Sequence, residues 1–218
     1  MKLGSYLKLY LPAIGILVIV VLICLRWAIP VDVFMADPYD LLQGVPWVGL
    51  VSNLGVFVWV SALSICFFCA TQLGAHENTK RQARLLWCIG IITTLVMLDD
   101  FFTLHELFYP GFLHLNEYVV TAFYAISLAG CLYIYRDLIL RSEYLPLVLS
   151  FVFFALSVIL DILSKNRHIP WYQLYEDGFK FLGIVSWLGY WAHLSSRFLN
   201  MVPKESFSGQ RKPSSKIH

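Results

Sequence analysis

Six long apolar stretches are the feature of this sequence that most restricts what it can fold into. A helix needs about 20 mostly apolar residues to cross the hydrocarbon core of a bilayer. Stretches of about that length occur at residues 9–29, 49–73, 85–106, 117–135, 144–163 and 176–196. Charged or Pro- and Gly-rich breaks, which end helices, separate them. The sequence therefore predicts an all-α integral membrane bundle of about six transmembrane helices.

The composition argues against a soluble domain and against a nucleic-acid partner. Of the 218 residues, 59% are hydrophobic and 14% are charged, whereas about 25% of residues are charged in an average soluble domain. A soluble chain of this size leaves roughly a quarter to a third of its surface in water. This sequence has too few polar residues to cover that surface. The formal net charge is only +2, and the basic residues form no single face for nucleic acid. Membrane lipids are the predicted partners.

The chain has no internal repeat and no linker that would separate two folded domains. Residues 1–202 are therefore predicted to form one six-helix transmembrane domain, and residues 203–218 a disordered, basic cytoplasmic tail. Lys2 and Lys8 precede the first apolar run as they would in a signal peptide. That run is long and no small-residue cleavage site follows it, so we expect the first span to be retained.

The basic residues predict the orientation of the bundle. Twelve of the sixteen Lys and Arg fall on one predicted side: Lys2, Lys8, Lys80, Arg81, Arg84, Arg136, Arg141, Arg197, Lys204, Arg211, Lys212 and Lys216. The positive-inside rule places that side, and both termini, in the cytoplasm. No Asn-x-Ser/Thr sequon occurs, which agrees with a bacterial inner (plasma) membrane as the predicted location.

Ionisable residues gather at the predicted outer ends of four spans. At 1.5 Å per residue, Asp99 and Asp100 lie about 21 Å into a core about 30 Å thick, and Lys180 lies about 6 Å inside it. A charge at such depth costs at least about 2.5–3.5 kcal/mol and usually marks a functional site. A structural ion pair of Lys180 with Asp99 or Asp161 is the alternative. Two aspartates facing one lysine leave a negative charge that a proton, a cation or a metal would compensate.

A divalent transition metal such as Zn or Fe is one hypothesis for this cluster, because carboxylate and imidazole groups are its ligands. The candidate ligands are Asp99, His105, Glu106, Asp161 and Glu176. The sequence contains neither the Glu-x-x-His pair of di-iron bundles nor a His-Glu-x-x-His motif. The spacing therefore permits a metal without identifying one.

A short string in the last span, Glu176-Asp177-Gly178-Phe179-Lys180, resembles the Glu-Glu-x-x-Lys motif of PrsW-type and related glutamate membrane proteases. The similarity covers five residues, Asp177 departs from the motif, and no later helix carries that family's further Glu and His motifs, so the family is not assigned. The resemblance suggests Asp99, Asp100, Glu176 and Asp177 as general bases or metal ligands. Lys180 would then be the electrostatic partner of a developing oxyanion.

Two classes of function remain open on the sequence. The first is a membrane-embedded hydrolase, dependent on a metal or on carboxylates, that acts on a lipid or a membrane-bound protein substrate. The second is a proton- or cation-coupled transporter, or a non-catalytic membrane assembly factor. Polar residues continuing along the helices to the cytoplasmic side would favour transport, and Ser150, Ser157 and His193 are the few such residues. The absence of repeats argues mildly against a transporter.

Overall fold

The computed structural model describes residues 15, 18–19, 21–29, 49–102, 104, 117–164 and 172–202. The chain divides into two compact units, Met1–Gly49 and Leu50–His218. In the first unit, residues 21–27 are helical. That helix ends in a Schellman motif, in which Ala28 has a φ of 53° and the Ile29 amide donates to the Cys24 carbonyl at 3.2 Å. Much of the predicted first span and all of the predicted tail from residue 203 lie outside the described residues.

In the second unit, every regular element among the described residues is helical, which confirms the all-α prediction. The elements are α1 (Leu50–Gly74), the 3₁₀ helix η1 (Glu77–Thr79), α2 (Lys80–Phe101), α3 (Glu117–Ile134), α4 (Arg136–Leu140), α5 (Leu145–Ser164) and α6 (Tyr172–Leu199). Thr79 closes the turn between α1 and α2, since its hydroxyl donates to the Leu73 carbonyl at 2.7 Å. Pro146 lies in the first turn of α5. Backbone N–H groups there have no partner within the helix, so the lack of an N–H in proline costs no hydrogen bond.

The bounds of α2 and α6 differ from those of the spans predicted from the apolar stretches. α2 begins at Lys80, five residues before the predicted span, because the polar residues of the preceding turn still form helical backbone hydrogen bonds. It ends at Phe101, where the Phe102 amide donates to the Leu98 carbonyl at 3.0 Å. Asp99 and Asp100 therefore lie in the last turn of α2. α6 begins at Tyr172, so Lys180 lies eight residues into that helix.

The core is formed by α1, α2, α5 and α6. α1 packs against both α2 and α6, α5 packs against α6, and α3 has a smaller contact with α2. Trp187 of α6 is 3% exposed, and its ring contacts Trp59 of α1 at 6.2 Å and Phe151 of α5 at 6.2 Å. Its indole N–H donates to the Thr93 hydroxyl of α2 at 3.2 Å. One side chain thus connects all four core helices.

α5 and α6 approach closely at Gly183. The Ser150 hydroxyl of α5 donates to the Gly183 carbonyl at 2.9 Å. A Cβ atom on Gly183 would lie 2.8 Å from the ring of Phe154. Phe154 has little room to move, because its ring stacks on Trp59 with centroids 5.9 Å apart. Small residues at such crossings are typical of helices that pack in membranes.

We expect Gly183→Ala to destabilise the bundle by about 1–3 kcal/mol, the usual cost of overpacking a core. The matched control is Gly189→Ala in the same helix, where a new Cβ meets no atom within 4 Å. Removing a mid-helix glycine there is expected to stabilise by about 0.5–1 kcal/mol. Thermal unfolding of both variants in detergent measures the difference. Equal midpoints for the two variants would contradict the close approach at Gly183.

Two helices of the described residues are long and apolar enough to cross a membrane, Leu50–Gly74 and Leu145–Leu163. In their most apolar windows only 33% and 17% of the residues are buried. The core helix of a soluble protein would be mostly buried, whereas α5 exposes apolar side chains such as Leu145 (65%) and Val158 (55%). The apolar surfaces of these two helices are thus largely uncovered by the part of the protein that the structure describes.

Candidate functional site

An ion pair joins α2 and α6 at one end of the bundle. The Lys180 ammonium donates to the Asp100 carboxylate, which is contributed by the last turn of α2. The Asp100 side chain is 13% exposed and the Lys180 side chain is 39% exposed. The sequence named Asp99 and Asp161 as possible partners of Lys180. In the structure the Lys180 ammonium pairs with the carboxylate of Asp100, which lies about 100° further round α2 than Asp99.

The ion pair lines a narrow cleft between α1 and α6. Ser52 and Gly55 of α1 and Asp177 of α6 also line it. The volume open to the centre of a water molecule is about 10 Å³, which is close to the space needed for one water. A water molecule in this cleft would lie among an ammonium, two carboxylates and a hydroxyl, and these groups would orient it.

An open apolar groove of about 540 Å³ lies beside the cleft. Its lining is mainly aliphatic and aromatic: Val51, Leu174, Tyr175, Phe179, Phe181 and Leu182, together with Asp177 and Gly178. The cleft and the groove share Val51, Asp177 and Phe181. A water-sized polar site therefore opens directly next to a surface suited to a hydrocarbon chain.

The structure brings together three of the residues that the sequence singled out for catalysis. Asp100, Asp177 and Lys180 line the cleft, and Asp99, which precedes Asp100, is buried with 8% exposure. Glu176 of α6 is half-buried and, within the described part of the chain, does not contribute to the lining of the cleft or the groove.

The metal hypothesis stays a prediction. Two of its five ligands, His105 and Glu106, lie outside the described residues. Asp161 lies half-buried near the end of α5 and is not part of the cleft lining. Among the residues that the structure describes, no three His, Cys, Asp or Glu side chains are close enough together to hold a metal ion.

Sequence reasoning missed the contribution of α1 to the site. Gly55 is buried, and a Cβ atom there would lie 3.3 Å from Ile184 Cδ1 of α6. This small residue allows the first turns of α1 to approach α6, which places Ser52 on the cleft. The signal was present in the sequence, since Ser52, Asn53 and Gly55 are polar or small residues at the start of an otherwise apolar span.

Buried polar side chains continue from the cleft toward the other end of the bundle. Thr93 is 1% exposed and accepts the hydrogen bond of Trp187. Tyr190 is also 1% exposed and its hydroxyl lies 3.0 Å from that of Ser142. Both side chains are therefore hydrogen-bonded within the protein, as expected of groups that stabilise helix packing.

The opposite end of the bundle carries a second ion pair of a different kind. Two Arg81 nitrogens donate to the two carboxylate oxygens of Asp137 at 2.8 and 2.6 Å. These side chains are 50% and 40% exposed. This bidentate pair connects the start of α2 to α4, and it provides a matched reference for the less exposed pair at the cleft.

Comparison with curated proteins and with solved structures gives no match. One family model, described as a domain of unknown function (DUF8692), matches residues 11–194. The match includes the cleft residues of α1, α2 and α6. Because it covers most of the 218 residues, the chain belongs to the DUF8692 family.

Proposed function

We propose that the chain is a multi-pass integral membrane protein of about six transmembrane helices. The largely exposed apolar surfaces of α1 and α5 support this, because lipid would cover them. Basic residues such as Arg81 and Arg136 lie at the opposite end of the bundle from the Asp100–Lys180 pair. With both termini in the cytoplasm of a bacterial cell, the cleft would face the non-cytoplasmic side of the inner membrane.

Within that membrane we propose a carboxylate-dependent hydrolase that acts on a lipid or a membrane-bound substrate. A single observation carries this proposal: a polar cleft the size of one water molecule opens onto an apolar groove. Hydrolysis of a membrane substrate needs both features side by side. The groove would hold the hydrocarbon part, and the cleft would hold the water that attacks the polar part.

The residues of the cleft fit separate roles. Asp177 is exposed and belongs to both the cleft and the groove, so its carboxylate is the candidate general base. It would take a proton from the water as the water oxygen bonds to the electrophilic carbon or phosphorus, and return it to the leaving group. Lys180 would stabilise the negative charge on the developing oxyanion. Asp100 holds the Lys180 ammonium in place.

The test uses purified protein reconstituted in vesicles of bacterial phospholipid. Mass spectrometry measures the release of fatty acid, headgroup or peptide fragments. The critical variant, Asp100→Asn/Lys180→Met, removes both charges of the cleft pair together. Its matched control is Arg81→Met/Asp137→Asn, which removes the pair at the opposite end. We expect product from the wild type and from the control, and none from the cleft variant.

Two outcomes would overturn the hydrolase proposal: product formation no greater than in protein-free vesicles, or equal rates in the two double variants. The alternative of a proton- or cation-coupled transporter has less support, because Thr93 and Tyr190 are hydrogen-bonded to protein side chains. The same vesicles test it, since transport would dissipate an imposed pH gradient. An assembly factor would give neither signal.

A further inference from the structure

The charges around the cleft favour a ligand that carries a positive group. Lys180 and Asp100 neutralise one another, and the second lining carboxylate, Asp177, is exposed at the edge of the groove. The described lining of the cleft and the groove thus holds one ammonium and two carboxylates, a net negative charge that would attract a cation and repel a purely anionic headgroup.

The spacing of Asp177 and Lys180 suits a ligand with opposite charges close together. The two residues are three positions apart in α6, so their Cβ atoms lie about 5–6 Å apart on one face of the helix. A headgroup whose ammonium and phosphate are joined by two carbons has a similarly short separation. Its ammonium could donate to the Asp177 carboxylate while its phosphate approaches the exposed part of Lys180.

The groove supplies what the hydrocarbon part of such a molecule needs. Its volume of about 540 Å³ is within the range of about 300–1,000 Å³ that is usual for small-molecule sites. Leu174 and Tyr175 in its wall are 61% and 50% exposed. A lipid chain could therefore enter from the side without displacing a packed element of the core.

We propose that the groove and cleft bind an aminophospholipid of the ethanolamine type. One acyl chain lies in the groove, the primary ammonium donates to one carboxylate oxygen of Asp177 and leaves the other oxygen for the attacking water, and the phosphate lies near Lys180. This inference rests on the proposed function, for which it names the class of substrate. A primary ammonium fits this site better than a trimethylated one, because it is smaller and donates hydrogen bonds to a carboxylate.

Lipid binding is measured by native mass spectrometry of the full chain in detergent, with phosphatidylethanolamine, phosphatidylcholine and phosphatidylglycerol of identical acyl chains. Asp177 is exposed, so its charge-assisted hydrogen bond should contribute at the low end of what such bonds usually give. We therefore expect phosphatidylethanolamine to bind about tenfold more tightly than phosphatidylglycerol. Asp177→Asn should reduce that preference to within about twofold. Free phosphoethanolamine should not bind detectably, because it lacks the chain.

A second pair of variants tests the groove. Leu182→Asn changes a lining residue that is 45% exposed, and the matched control Val185→Asn changes a residue of the same helix that is 42% exposed. We expect the first to weaken binding of all three lipids and the second to leave it unchanged. Three results would overturn the inference. They are equal binding of the three lipids by the wild type, an unchanged lipid preference in Asp177→Asn, and equal effects of Leu182→Asn and Val185→Asn on binding.

The binding results are independent of turnover, so the two proposals can fail separately. A preference for the ethanolamine lipid without any product would leave the binding site standing and remove the hydrolase. Product formation from all three lipids at equal rates and affinities would leave the hydrolase standing and remove the aminophospholipid.

Discussion

Asparagine in place of Asp177 is expected to lower the kcat of hydrolysis about 10²–10⁴-fold, the contribution usual for a general acid–base group. Asparagine preserves the size and shape of the side chain but cannot accept the proton of the attacking water. Asp177 is the carboxylate that the cleft and the groove share. Initial rates at saturating lipid give kcat separately from the loss of lipid affinity expected of the same variant.

The control for this prediction is Glu143→Gln, which removes a carboxylate that is 82% exposed and lies after α4, at the opposite end of the bundle. Its kcat should stay within about twofold of the wild type. A kcat of Asp177→Asn that also stays within about twofold would show that this carboxylate is not the base. Circular dichroism and unfolding midpoints of both variants exclude loss of the fold as the cause.

The apolar helices were the part of the fold most open to prediction from the sequence. α1 and α5 extend over Leu50–Gly74 and Leu145–Ser164, within a residue or two of the apolar runs at 49–73 and 144–163. Hydropathy identifies these helices because each of them begins and ends where its run of apolar residues does. α2 begins five residues before the predicted span, because its polar first turn does not follow the hydropathy pattern, and its last turn holds Asp99 and Asp100.

The sequence predicted that Lys180 pairs with a carboxylate, but it did not predict which carboxylate. The depth of Lys180 indicated that it needed a carboxylate partner. The choice of Asp100 depends on how α2 is rotated toward α6, and hydropathy does not determine that rotation. The groove was beyond sequence reasoning for the same reason, since it depends on how α1 crosses α6. Gly55 permits that crossing by its contact with Ile184, which is distant in the sequence.

Replacing Lys180 with methionine is expected to lower the free energy of unfolding by about 3 kcal/mol. The change leaves the Asp100 carboxylate, which is only 13% exposed, without its cation. Breaking a buried ion pair by removing one partner costs about 3–5 kcal/mol, and the 39% exposure of Lys180 places this pair at the lower end. Asp100→Asn should cost less, because the partly exposed ammonium can still reach water.

The double variant Asp100→Asn/Lys180→Met should regain most of the lost stability, because neither charge is then left uncompensated. The double-mutant cycle should give a coupling free energy of about 2–3 kcal/mol, measured from unfolding in detergent. The parallel cycle on Arg81 and Asp137, which are 50% and 40% exposed, should give less than about 1 kcal/mol, as exposed pairs do. Additive losses at Asp100 and Lys180 would mean that their contact contributes nothing to folding. A coupling confined to this pair would instead identify it as the feature that holds α2 and α6 together at the cleft.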